Sequence, residues 1–111
     1  MQEERADVIY FHWPYQCACA ISTETKIREV MRTHFAAELE SGSVTFRSVD
    51  IEDPENTGIV EKYGASKTQL FVTTVQGGIE VVQDMTLYIL PKLDDEETVA
   101  ALMRARIPES R

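Results

Sequence analysis

Cysteine is scarce in this chain, with two in 111 residues. That is too few for a secreted fold stapled by disulfides. Cationic side chains are also in the minority, 11 Lys and Arg against 19 Asp and Glu, for a formal net charge of −8. A surface of that sign repels phosphate backbones and anionic bilayers, so nucleic acid is not an expected partner. No apolar run approaches the roughly 20 residues of a spanning helix, and membrane insertion is not expected either. The first residues, Met1-Gln2-Glu3-Glu4-Arg5, are charged and lead into no signal-peptide core, which makes a cytoplasmic location the expectation. With no repeats, no linker and no low-complexity stretch, the 111 residues suit a single domain in which residues 1–5 form a solvated tail. A chain of this length buries roughly two thirds of its unfolded surface, enough for a core without a metal or disulfide staple.

What the chain does have is concentrated. Both cysteines fall in one tripeptide, Cys17-Ala18-Cys19, shortly after the apolar run Val8-Ile9-Tyr10-Phe11. Asp7 to Trp13 reads as a strand buried on both faces, ended by Pro14, which cannot donate to a ladder. Ile21 to Ser41 reads as one long helix. Ile27, Val30, Met31, His34, Phe35 and Leu39 would form its inner face, with Glu24, Arg28, Glu29 and Arg32 outside. Ser22 or Thr23 is the candidate cap and Gly42 the stop.

Alternation from Ser43 to Glu52 predicts a second strand. Asp53-Pro54-Glu55-Asn56 then predicts a turn, and Thr57 to Tyr63 a short helix closed by Gly64. Gln69 to Gln76 and Ile79 to Met85 read as an antiparallel pair joined at Gly77-Gly78. Leu87 to Leu93 carries no clear pattern. Asp94 to Glu97 places acids at the start of a last helix, where the dipole favours them, with Val99, Ala100, Leu102, Met103 and Ile107 buried. The order β-α-β-α-β-β-α predicts an α/β fold, a four-stranded mixed sheet with helices on both faces.

That order, with a cysteine pair between the first strand and the first long helix, resembles the thioredoxin superfamily over nearly the whole chain. The entry Tyr10-Phe11-His12-Trp13, the segment from Val49 to Asn56, Glu61-Lys62-Tyr63-Gly64 and the Gly77-Gly78 hairpin carry the resemblance. The entry, Thr33-His34-Phe35-Ala36 and the acidic Pro-Glu-Asn turn look most like small thioredoxin-like proteins of bacterial arsenic-resistance gene clusters. The resemblance implies thiol–disulfide exchange by Cys17 and Cys19 with a protein or small-molecule thiol or disulfide, and no cofactor. The family motif has two residues between its cysteines, whereas here there is one. A gapless register from Phe11 places Cys19 on the second family cysteine and Gln16 on the nucleophile; a one-residue deletion places Cys17 on the nucleophile. The family's cis-proline falls near Thr68, and its buried acid near Tyr10.

The chemistry of the pair follows from its place. A thiolate is both the nucleophile and the soft-metal ligand, and a helix start lowers a thiol's pKa. Residues two apart on a helix point about 200° apart, so a Cys17–Cys19 disulfide requires one cysteine outside regular helix. Strain of that kind makes a couple oxidising. The same two thiols offer an alternative, chelation of Cu(I) or trivalent arsenic; a closed zinc site would need four ligands. A third reading is a non-catalytic adaptor that uses only the fold. His12 is a candidate for tuning the thiols, and Trp13, Tyr15 and Thr68 for docking a partner. His34 is expected inside and remote. The acids Asp50, Glu52, Asp53 and Glu55 do not form an EF-hand, because Glu55 stands where glycine is required.

Overall fold

The computed structural model describes residues 5–14 and 18–107, apart from the side chains of residues 19 and 20. Strand β1 (Arg5–His12) is central. It pairs in parallel with β2 (Val44–Asp50) and antiparallel with β3 (Gln69–Gln76), which pairs antiparallel with β4 (Ile79–Asp84). The sheet order is β2-β1-β3-β4. Arg5 lies opposite Val75 as the first residue of β1, so it is not part of a tail as expected. The expected residues 1–4 of that tail lie outside the described residues.

Period-two alternation sorts β1 onto two cores. Ala6, Val8 and Tyr10 enter a cluster with Ile27, Val30, Met31, Phe35, Val72, Ile89, Val99 and Met103. Ile9 and Phe11 enter a smaller one with Val49, Ala65 and Phe71. The first face is covered by α1 (Ala18–His34), α2 (Ala36–Ser41) and α5 (Glu96–Arg104), the second by α3 (Thr57–Tyr63). On the second face Phe11, Tyr63 and Phe71 form a tilted and edge-to-face triplet with centroids 5.2–5.6 Å apart, the geometry that ring quadrupoles favour. The mixed sheet with helices on both sides is the expected architecture.

The hairpin also forms as expected, with Gly77 and Gly78 at φ 59° and 81°, the two left-handed positions of a type I′ turn. Asp95 caps α5 by accepting from the Thr98 N–H at 3.1 Å. The patternless stretch after β4 resolves into a one-turn helix, α4 (Thr86–Ile89), and a 3₁₀ turn over Leu90–Lys92.

The first helix departs from expectation at both ends of the reading. It starts at Ala18, so Ser22 and Thr23 lie within it and are not its cap. It also breaks at Phe35, whose φ of −128° and ψ of 26° lie outside the helical region. No proline or glycine causes the break. Arg104, from α5, donates to the freed His34 carbonyl at 2.8 Å. Its guanidinium lies 4.2 Å from the centroid of the buried Phe35 ring and pairs with Glu38. Glu38 is only 5% exposed, and a carboxylate is almost never that buried without a partner. One arginine thus satisfies a carbonyl, a carboxylate and a ring face at the joint between α1 and α2.

Removing Arg104 leaves Glu38 buried without that partner. Arg104→Ala is expected to cost about 3 kcal/mol, in the range for breaking a buried ion pair, and Arg104→Lys somewhat less. Urea unfolding with the slope unchanged measures both; a loss under about 1 kcal/mol for the alanine variant would mean the joint holds itself.

Candidate functional site

The register fixes which chain ends meet. His12 closes β1 opposite Asp50 of β2, and the Ile51 N–H donates to the His12 carbonyl at 3.0 Å. Phe11 lies opposite Gln69, so Thr68, half-buried, sits at this same end of the sheet. The Met85 N–H reaches the Leu70 carbonyl at 2.8 Å and the Thr86 hydroxyl accepts from the Leu70 N–H at 3.0 Å, which brings the start of α4 there too. Chain from four strands therefore gathers where β1 gives way to the cysteine tripeptide.

Cys17 and Tyr15 lie outside the described residues. Ala18 opens α1, and Cys19 follows it in the first turn. The first four N–H groups of a helix have no partner within it and carry the positive end of the dipole. The first turn of α1 contains no acid, whereas that of α5 contains Glu96 and Glu97. The field at Cys19 is thus not cancelled by carboxylates of its own turn.

His12 projects on the α1 side of the sheet, with its ring centroid 5.9 Å from that of Tyr10. Its Nδ1 lies 2.7 Å from the Trp13 carbonyl oxygen. A carbonyl only accepts, so Nδ1 carries the proton, which sets the tautomer. Tyr10 is wholly buried. Trp13 is 44% exposed, a rim residue and not a core one. His34 lies at the far end of α1, with its Nε2 3.3 Å from Glu96, remote from the tripeptide as expected.

Two features escape the sequence reading. Glu24, assigned to the solvent face, is half-buried and bridges α1 to β2: it accepts from the Ser48 hydroxyl at 2.5 Å and from Arg28 Nε at 3.2 Å. Burial pushes its carboxyl pKa up, but Ser48, Arg28 and, more weakly, His12 outweigh that and hold it below the usual range. The Glu24-to-Arg28 spacing signals only a surface pair; nothing local announces Ser48. The second feature is a cleft of about 410 Å³ beside the start of α1, lined by Ala18, Ser22, Thr23, Lys26, Leu90 and Pro91 among others. Lys26 and Asp94 close one side with a 2.5 Å ion pair. The walls come from segments about 70 residues apart, and no local pattern marks them.

Comparison with known proteins agrees with this geometry at the level of fold. The Trx4 domain of ERdj5 superposes with a TM-score of 0.61 at 16% identity, over 92% of this chain and 79% of that one. A thioredoxin from Thermus thermophilus gives a TM-score of 0.50 at 15% identity, over 96% and 85%. No family model and no curated protein matches the chain. The likeness defines a thioredoxin-like fold.

Because Glu24 is held below its unfolded pKa, its contribution to stability is complete above about pH 4.5 and is lost as pH falls through the folded value. Glu24→Gln is expected to be less stable at neutral pH by about 1 kcal/mol and to lose less on acidification. Urea midpoints from pH 7 to about pH 3 check this; parallel curves for the two proteins would refute it.

Proposed function

We propose that the chain carries out thiol–disulfide exchange through Cys17 and Cys19. The observation that carries this reading is the place of Cys19, in the first turn of α1 at the carboxyl end of the central strand of a thioredoxin-like fold. The Cys17 thiolate attacks one sulfur of a substrate disulfide, forming a mixed disulfide and expelling the other sulfur as a thiolate. The Cys19 thiolate then attacks the Cys17 sulfur. This closes the Cys17–Cys19 disulfide and releases the second substrate sulfur. In this direction two electrons pass from the cysteine pair to the substrate and both released thiolates take protons from solvent; the same steps run in reverse when the closed pair oxidises a substrate dithiol, the direction that its strain favours. If Cys19 corresponds to the attacking position, the two roles exchange.

The one-residue spacing makes this couple an oxidant, because a closed pair so near in sequence is strained. In this reading Trp13 and Thr68 dock the partner, the cleft beside Ala18 receives a small thiol or an extended peptide, and His12 tunes the pair. The chemistry of two thiolates across one alanine supports a second reading, in which they chelate trivalent arsenic or Cu(I).

Equilibration with glutathione buffers, read by thiol alkylation and by Trp13 fluorescence, is expected to give a reduction potential well above thioredoxin's roughly −270 mV. A value at or below that figure refutes the oxidising couple. Cys17→Ser and Cys19→Ser are each expected to abolish disulfide closure. Tight stoichiometric binding of arsenite or Cu(I) with no exchange would establish the chelation reading instead. Full cellular function with both cysteines replaced would leave an adaptor.

A further inference from the structure

Seven large apolar side chains are exposed among the described residues, and five of them fall within ten consecutive positions: Ile79, Val81, Val82, Leu87 and Tyr88. Three belong to β4, an edge strand with no neighbour on its outer side among the described residues. Its cross-strand partners place Ile79 and Val81 on the α1 side and Val82 on the α3 side. The α1 side of the edge is therefore apolar at Ile79 and Val81, and on the other side Val82 stands between Glu80 and Asp84. The strand has no proline, and its Glu80 is already met by Lys62 at 3.3 Å. Edges are normally blunted by unpaired charge, proline or a covering element. The other edge, β2, presents an exposed Arg47 and has Arg28 stacked 5.0 Å over Phe46.

We propose that β4 pairs antiparallel with β4 of a second copy about a twofold axis normal to the sheet, giving a continuous eight-stranded sheet. Such an axis keeps each residue on its own face, and directly opposed residues share a face, so the pairing must centre on one residue and its symmetry mate. Centring on Ile79 or Gln83 pairs at most half of β4 with its mate, and charge decides among the remaining centres. Centring on Glu80 opposes two glutamates, and centring on Val82 sets Glu80 against Asp84 of the other copy twice; like charges directly opposed are unfavourable. Centring on Val81 pairs Val81 with itself, Ile79 with Gln83, and Glu80 with Val82. It brings the exposed apolar side chains of both copies together and opposes no like charges. A second copy fits this edge because the strand's own sequence supplies the complement.

The net charge of −8 on each copy opposes association, and salt relieves it. Raising ionic strength from about 0.01 M to about 1 M shortens the screening length from about 30 Å to about 3 Å. Sedimentation velocity on the full chain at about 0.1 mM is expected to show doubled mass, with a dissociation constant at least tenfold lower at the higher salt. Val81→Lys opposes two ammonium groups across the axis and is expected to remain folded by circular dichroism and to be monomeric. In a Cys17→Ser/Cys19→Ser chain, Val81→Cys is expected to form an intermolecular disulfide on mild oxidation, and Val82→Cys far less. A monomer at every salt concentration overturns the proposal. So does a dimer indifferent to Val81→Lys, or equal cross-linking at the two positions.

Discussion

Everything in this molecule is referred to one strand that cannot move. β1 is paired on both edges, with β2 and β3, and packed on both faces. Its backbone hydrogen-bonding groups are taken up by ladders, and its side chains alternate between two separate hydrocarbon clusters. A one-residue slip would send Tyr10 toward the α3 cluster and Phe11 toward α1, exchanging every contact at once. The end of β1 is therefore fixed in space, and with it the point from which the chain leaves toward Cys17 and enters α1. The parallel pairing of β2 then requires a crossover, which α1 and α2 supply on one face.

The charges work within that frame. A helix start is worth about 0.3–1 kcal/mol to an exposed anion, and one pKa unit corresponds to about 1.4 kcal/mol. The α1 dipole alone therefore lowers a thiol by under about one unit. The absence of acids in the first turn preserves that effect, while the excess of carboxylates over the whole chain works against it. For the proposed exchange, a field of that size supplies modest activation, and the larger lever is the short spacing. This is why the redox reading turns on a reduction potential more than on a pKa.

What could be read from the sequence follows the range of the forces involved. β3 and the Gly77-Gly78 hairpin are local patterns, and their limits came out as expected. The capped start of α5 is local too. The start of α1 at Ala18 has no local signal, because Ala18-Cys19-Ala20 carries no capping residue and Ser22 and Thr23 offer a nearer one. The break at Phe35 is not legible in any window of sequence, because the group that satisfies it, Arg104, lies about 70 residues away and acts through a carbonyl, a ring and the buried Glu38. The candidate site divides the same way. The cysteine pair is conspicuous as spacing, and its place at the end of a buried strand follows from the apolar run before it. The Glu24–Ser48 bridge and the cleft walls at Leu90 and Pro91 depend on tertiary neighbours that no window of sequence contains.

The two edges of the sheet face different physical demands. β2 lies beside β1, so a chain added there would crowd the end of the sheet where Asp50 and His12 meet. β4 is separated from β1 by β3. With strands about 4.8 Å apart, a strand added at β4 lies roughly 14 Å from β1, against roughly 10 Å for one added at β2. Growth of the sheet at β4 buries Ile79, Val81 and Val82 and leaves His12, Trp13 and the start of α1 open to solvent. Sheet growth at β4 thus leaves the end of β1 open, whereas growth at β2 would crowd it.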